Sequence, residues 1–360
     1  MGFVIAAAGT GGHVYPGLAV AEALVAAGAP RSDILCIGGD RVESRIFPKH
    51  GFEFLQLELR GLKRSLSPGN LSLPAVVLRA RKHIANELTR RRVGAVLGMG
   101  GYVTVPVALA ATKTRTPLVV SEQNAGAGLA NRIAARWADR VFVSFPNTIG
   151  LPGAEWVGNP VRSPISNFDR AGLRDEAMGY YGLEPGRFVL GVFGGSLGAQ
   201  VLNEATAQMV AAWSGPPIQV VHLVGSSHEE RYAGIQSPPG LEWIRLGFEE
   251  RMDLFYAVSD LVVARAGGAV AEISATATPS ILVPGEFGSS GHQVENATYL
   301  EQAGAAVVLK QGQLADLPTV VKSIMADTER LVAMSNGARR IARPDAAKAI
   351  AEAMIELGAR

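Results

Sequence analysis

The stretch AAAGTGGHVYPG, Ala6 to Gly17, sets a glycine cluster between a short apolar run and a helical pattern, AVAEALVAAG, with His13 where the helix begins. A glycine-rich turn from strand to helix lets an oxyanion approach backbone N–H groups at the positive end of the helix dipole. An imidazole titrates near pH 6.5. A histidine beside such a loop therefore raises the question of whether a phosphate there is the substrate or only a handle. Three more clusters follow: GMGGYVTVP (Gly98 to Pro106), VFGGSLGAQ (Val192 to Gln200) and ARAGGAVAE (Ala264 to Glu272). Tight packing explains the glycines of any one loop equally well. Four loops, all after predicted strands, point to the ligand crevices of open α/β sheets.

Several chemistries lack their signatures. There is no G-x-x-x-x-G-K-[ST] and no G-x-S-x-G elbow, so P-loop hydrolysis and the α/β-hydrolase mechanism are disfavoured. The acidic residue expected about 20 positions beyond a dinucleotide loop has no clear candidate after the first loop, and Asp40 is too far along, which argues against dinucleotide chemistry. No D-x-D pair occurs and the six histidines are scattered, so no metal site and no obligatory cofactor are expected.

The elements that must carry these loops are legible as unalternating apolar runs, the mark of parallel strands covered on both faces. In the first half they are Phe3–Ala8, Ile34–Ile37, Phe52–Leu57, Ala95–Leu97, Leu118–Val120 and Val141–Val143. Helical patterns such as Ala19–Ala27 and Asn131–Trp137 lie between them. The series restarts with Val189–Phe193, Val220–Val224, Trp243–Leu246, Leu261–Ala264, Ile281–Val283 and Ala306–Leu309. The Pro- and Gly-rich stretch Leu151–Ile165 reads as a linker. The expected fold class is α/β: two doubly wound, Rossmann-like domains facing across a cleft. A helix from about Ala342 could pack on either.

The 360 residues suffice for two full cores, and 48% of them are hydrophobic. A net charge of +2 argues against nucleic acid as a partner. The single cysteine, Cys36, permits no internal disulfide, which fits a reducing compartment. The first apolar run breaks at Gly9 and reads as a strand rather than a signal peptide, and no run of about 18 apolar residues exists to span a membrane.

Taken together, GTGGHVYPGLAVAEAL, GMGGYVTVP, EQNAGAGLANR, VGNPVR, FGGSLGAQVLN, ARAGG-AVAEI and GHQVENA resemble the signature blocks of the MurG family of bacterial glycosyltransferases, in the same order and over nearly the whole chain. The resemblance implies a GT-B fold and an inverting, β-1,4 transfer of GlcNAc from UDP-GlcNAc to the MurNAc 4-hydroxyl of lipid I, undecaprenyl-diphosphate-MurNAc-pentapeptide, giving lipid II. It implies an acceptor domain of residues 1–160 plus 342–360, since the family's last helix crosses back, and a donor domain of residues 161–341. Other lipid glycosyltransferases and UDP-GlcNAc epimerases share such a fold, and a nucleotide-sugar sensor would share it without catalysis. Intact His13, Glu122 and Glu272 argue against the sensor.

By the same resemblance His13 and Glu122 are the catalytic candidates, His13 as the base that deprotonates the acceptor hydroxyl. The family's usual histidine is replaced here by Ser121, which shifts that role to His13 or Glu122. Gly9, Gly100, Gly101 and Tyr102 would hold the acceptor. Thr10, Gly11, Gly12, Asn124, Arg162, Gly195, Ser196, Glu249, Gly268, Ala269, Glu272, Gln293 and Asn296 would serve the donor. Glu272 suits the two ribose hydroxyls and Arg162 a diphosphate or a uracil carbonyl. Plainer roles compete at each position: a loop hydrogen bond for His13, packing for Tyr102, solvent for Arg162, capping for Ser196, Gln293 and Asn296, and a helix-start acid for Glu272. The fourth loop is one residue shorter than the family's block. The span Arg60–Arg92 carries nine basic residues and one acidic one around the apolar Leu71–Ile84. That pattern favours an anionic membrane surface. The expected location is peripheral, on the cytoplasmic face of the membrane, with other cell-wall synthesis proteins as further partners.

Overall fold

A computed structural model describes residues 1–58, 73–195, 198–226, 228–232, 234–285 and 292–360. The chain divides into two units, Met1–Ser163 with Pro344–Arg360, and Pro164–Arg343. Residues 161–163, assigned to the second half from sequence, thus group with the first unit, and the chain returns to it at Pro344.

The first unit carries strands β1 (Gly2–Ala6), β2 (Ile34–Gly38), β3 (Glu53–Gln56), β4 (Val93–Gly98), β5 (Leu118–Glu122), β6 (Arg140–Val143) and β7 (Glu155–Trp156). All pair in parallel, in the order β3-β2-β1-β4-β5-β6-β7. β7 was missed because it is two residues long and sits inside the supposed linker, where Pro152 and Pro160 flank it. It pairs at the sheet edge, Phe142 opposite Glu155.

The first helices are α1 (Gly11–Ala26), α2 (Glu43–Lys49), α3 (Leu73–Arg90), α4 (Thr104–Thr114) and α5 (Leu129–Ala134). α1 starts eight residues before the expected Ala19, because Gly11, Gly12 and Pro16 read as loop residues yet are helical here. Asn131–Trp137 splits into α5 and a 3₁₀ turn, Ala135–Trp137. The C-terminal helix Ala346–Gly358 buries Ile350, Ala351, Met354 and Leu357 in one core with Val14, Leu18, Ile5 and Leu97. Burying a side chain such as Ile350 or Met354 contributes about 1.5–3 kcal/mol, so this last helix is an integral layer of the first unit.

The second unit carries β8 (Phe188–Phe193), β9 (Ile218–Leu223), β10 (Leu241–Leu246), β11 (Leu261–Ala264), β12 (Ser280–Leu282) and β13 (Ala306–Val308). They form a parallel sheet in the order β10-β9-β8-β11-β12-β13. Both sheets reverse direction of growth beside their first strand, between β1 and β4 and between β8 and β11. Ligands of open α/β sheets bind outside the carboxyl ends at such switch points. The four glycine loops follow β1, β4, β8 and β11.

Candidate functional site

In the first unit the ends of β1 and β4 are level, with Ala6 paired to Gly98. The loop after β4 folds back over the loop after β1. A methyl group at Gly101 would overlap the Ala8 carbonyl oxygen, and at φ +78° its backbone is in a region other residues rarely adopt. A methyl group at Gly100 would come within 3.0 Å of Nε2 of His13. The glycines thus bring the second loop against the imidazole edge.

Two of these amides are already committed. The Gly9 N–H donates to Oε2 of Glu43 at 3.2 Å, and the Gly100 N–H to Oγ1 of Thr104 at 3.0 Å. Gly9 and Gly100, expected to bind the acceptor through their N–H groups, are internal donors here. Glycine spacing reveals backbone freedom and not where each N–H points. The remaining anion-binding element is the start of α1. Its N-cap, Thr10, is exposed and extended and makes no side-chain cap. The first-turn amides of Gly11 and Gly12 lie ahead of the first intrahelical bonds.

His13 is partly buried as a residue, and its Nδ1 is buried. Burial lowers its pKa below that of an ordinary histidine, against the opposing pull of Glu122, the Ala8 backbone and Glu43. The ring is therefore neutral at neutral pH, the state a general base requires.

Glu122, at the end of β5, is only 2% exposed. Its Oε1 accepts from the N–H and Nδ2 of Asn124 at 3.0 and 3.1 Å. Its Oε2 accepts from the Gly128 N–H at 3.0 Å and from Nδ2 of Asn131 at 2.8 Å. Four donors fill the roughly four lone-pair sites of a carboxylate. The geometry thus departs from the expected catalytic role: Glu122 anchors the loop into α5, and Asn124 is held by it. Ser121 is buried, and its carbonyl accepts from Gln123 and Asn131. Tyr102 places its hydroxyl 3.5 Å from Oε1 of Glu43, and its phenol is pushed up to about 12, by burial first and then by Glu43 and Asp40. Arg162 lies over the ring of Tyr15, 5.7 Å from its centroid, two residues past His13 on α1.

In the second unit Gly194 and Gly198 are packing glycines: a methyl group at either would overlap Ala199 or the Val224 carbonyl. Gly195 differs, at φ +97° with nothing among the described residues within 4 Å of its Cβ direction. Ser196 lies outside the described residues, as does Gly291 of the GHQVENA block. Gly268 is the N-cap of the helix Ala269–Ala275, with no side-chain cap. One turn in, Oε2 of Glu272 accepts a 3.0 Å hydrogen bond from the Tyr256 hydroxyl, whose pKa is raised first by burial and then by Glu272. Gln293 accepts from the Gly285 N–H at 2.9 Å. Asn296 is 1% exposed and donates to the Ala266 carbonyl at 3.0 Å, so it fastens the fourth loop. Glu249 is buried, accepting from the Tyr181 hydroxyl at 2.9 Å and from the Arg251 N–H at 2.7 Å. It too departs from the expected donor contact.

Sequence reasoning missed Glu43, Asn131 and Tyr256. Glu43 reads as an ordinary acid in a first helical turn, 34 residues from the loop it holds. Tyr256 and Glu272 are 16 residues apart, a separation without periodic meaning. Among the described residues no group of three or more His, Cys, Asp or Glu could hold a metal ion.

The chain matches the glycosyltransferase family 28 N-terminal domain over residues 3–143 and the family's C-terminal domain over residues 189–350. A curated relative from Mycolicibacterium paratuberculosis is 39% identical, over 99% of this chain and 88% of that one. Its name is UDP-N-acetylglucosamine–N-acetylmuramyl-(pentapeptide) pyrophosphoryl-undecaprenol N-acetylglucosamine transferase. A relative of the same name from Halorhodospira halophila is 40% identical over 96% of each chain. Among solved structures, MurG of Acinetobacter baumannii superposes with a TM-score of 0.79 at 28% identity, over 99% of this chain and 100% of that one. A UDP-GlcNAc 2-epimerase from Neisseria meningitidis bound to UDP-GlcNAc reaches a TM-score of 0.66 at 12% identity, over 99% and 100% of the two chains, which is a likeness of fold alone.

Proposed function

The chain belongs to glycosyltransferase family 28, and from that premise we infer how its two units divide the reaction. The protein is a UDP-GlcNAc-dependent hexosyltransferase that moves GlcNAc to lipid I, giving lipid II for peptidoglycan. In our reading the first unit holds lipid I and the second holds UDP-GlcNAc. The acceptor diphosphate is the handle, met by the amides of Gly11 and Gly12 at the start of α1, which this reading moves from the donor to the acceptor. Neutral His13 takes the proton of the MurNAc 4-hydroxyl. The new bond joins that oxygen to the anomeric carbon of GlcNAc with inversion. The bond from the anomeric carbon to the diphosphate oxygen breaks, and its electron pair leaves on that oxygen with UDP. The backbone at Gly195 and the helix starting beyond Gly268 offset that charge, and Glu272 takes the ribose hydroxyls. No metal is required in this scheme.

The observation that carries the assignment is His13: an imidazole that burial holds neutral, wedged between two glycine loops at a sheet's switch point. The decisive assay incubates the protein with UDP-GlcNAc and a short-chain lipid I analogue, with and without a chelator. The expected result is the β-1,4 disaccharide and one UDP per product, at equal rates in both. Epimerised sugar without disaccharide would overturn the transferase reading, and loss of rate with chelator would overturn the metal-free scheme.

We also propose attachment to the cytoplasmic, anionic face of the membrane. α3 exposes Leu78 beside Arg79 and Lys82, with Arg81 half-buried. The part of the basic span from residue 60 to 72 lies outside the described residues. Among those described, no helix is long and apolar enough to cross a membrane. Binding to anionic vesicles should weaken with salt and be lost when Arg79, Arg81 and Lys82 are replaced by Glu, while turnover of the short-chain acceptor persists. Vesicle binding indifferent to salt and to these charges would refute the electrostatic part.

A further inference from the structure

Glu43 begins α2, a helix that none of the glycine loops belongs to, yet it is fully buried at the switch point of the first sheet. Its Oε2 accepts from the Gly9 N–H at 3.2 Å and its Oε1 from the Gly39 N–H at 3.0 Å. The Tyr102 hydroxyl stands 3.5 Å from the same Oε1. One carboxylate thus ties the ends of β1 and β2 to the loop after β4. The space is filled to match: a methyl group at Gly39 would overlap the Tyr102 hydroxyl, and one at Gly38 would strike the Glu43 side chain. A buried carboxylate is costly unless its oxygens are satisfied. Here backbone amides satisfy it, much as they would a bound anion.

We propose that Glu43 is a positioning residue for catalysis: a built-in anion that occupies the Gly9 amide, fixes Tyr102 and sets the placement and charge environment of His13. The proposal rests on His13 being the base. Two consequences separate it from a merely structural anchor. First, the acceptor's phosphate is denied the Gly9 amide and is directed to the start of α1, two residues on. Second, a fixed negative charge near the imidazole favours its protonated form. The charged groups that act electrostatically on His13 are Glu122 from the end of β5 and, more weakly, Glu43 from α2. Around Tyr102 stand Glu43, Asp40 and Arg41.

The test is Glu43→Gln in the full-length enzyme, with His13→Ala as a control and the pH profile of kcat/KM as the main readout. A glutamine removes the charge and turns one oxygen acceptor into a donor, so that either the Gly9 or the Gly39 amide faces another N–H. Three results are expected. The acid limb moves to lower pH, because the carboxylate that supported the imidazolium is gone. The value of kcat falls about tenfold to hundredfold, as for a small misplacement of a catalytic group. The Kd for UDP is unchanged, because the donor unit is untouched. Glu43→Asp, which keeps the charge but shortens the reach, should lower kcat and leave the acid limb in place; it also serves if the glutamine variant does not fold. An acid limb unmoved in Glu43→Gln, or full kcat in Glu43→Asp, overturns the proposal. If His13→Ala keeps both its rate and the wild-type limb, it is the base assignment that has failed, and the proposal with it.

Discussion

In the first unit Gly9 and Gly100 give their amides to Glu43 and Thr104, and Gly101 lies against the Ala8 carbonyl. In the second, Gly194 and Gly198 pack as tightly, but Gly195 keeps open space on its Cβ side among the described residues. The strand orders are the same around both switch points. The difference lies in what fills them. The first loops are consumed in holding one another and leave an imidazole at the front. The second present backbone, with a carboxylate, Glu272, held from behind by Tyr256. In the proposed reading one carries a reacting side chain and the other holds a charged leaving group, although both look alike as glycine-rich sequence.

The largest expected effect tests that contrast directly. His13→Ala should lower kcat about 100-fold or more, within the usual range for a general base, with UDP affinity unchanged. The wild-type acid limb of kcat/KM should lie below about pH 6.5, the ordinary histidine value, because burial lowers the pKa of His13. Activity should be lost as pH falls through that limb and retained above it. A variant of normal rate, or an acid limb that survives in it, would remove the imidazole from the mechanism and erase the distinction between the two loops.

Much of this architecture was legible in sequence. Unalternating runs such as Leu261–Ala264 gave the strands, since burial on both faces forbids alternation. Glycine clusters after them marked the switch points. What stayed hidden was polar wiring over long separations. Nothing local distinguishes Glu43 from any acid that starts a helix, and nothing in SEQNAG says that Glu122 spends its oxygens on Gly128 and Asn131. The edge strand Glu155–Trp156 was hidden for another reason: its pairing is imposed by β6 and not by its own composition. Asn296 and Glu249 show the same limit. Resemblance placed them near a ligand, while their hydrogen bonds turn them inward.

A pair of glycine substitutions should sharpen the comparison at intermediate magnitude. Gly101→Ala meets both a left-handed backbone and the Ala8 carbonyl, and should cost about 2–4 kcal/mol of stability together with most of the turnover. Gly195→Ala meets only the backbone penalty and should cost about 1–2 kcal/mol. Its functional loss should fall on donor affinity, leaving acceptor KM alone. Thermal unfolding and separate titrations of the two substrates read both. Equal stability losses, or a Gly195 variant impaired toward the acceptor, would break the assignment of loops to substrates.

The smallest effect concerns the Tyr256 hydroxyl. In the structure it donates to Oε2 of Glu272 from a fully buried ring. A carboxylate has about four lone-pair sites, and this bond fixes the direction in which the group points. Tyr256→Phe keeps the ring and the packing. If the hydroxyl orients Glu272 for the donor, the variant should bind UDP-GlcNAc about threefold to tenfold more weakly, the net range of one ordinary hydrogen bond. In a Glu272→Ala background the same change should do nothing, because there is no carboxylate left to orient. UDP-GlcNAc carrying 2′-deoxyuridine extends the argument: wild type should prefer the natural donor, Tyr256→Phe should prefer it less, and Glu272→Ala should scarcely tell the two apart. The opposite sign is informative as well. If the phenol competes with the ribose for the same oxygen, Tyr256→Phe would bind the donor more tightly, and the second switch point would be restrained by its own side chains just as the first is by Glu43.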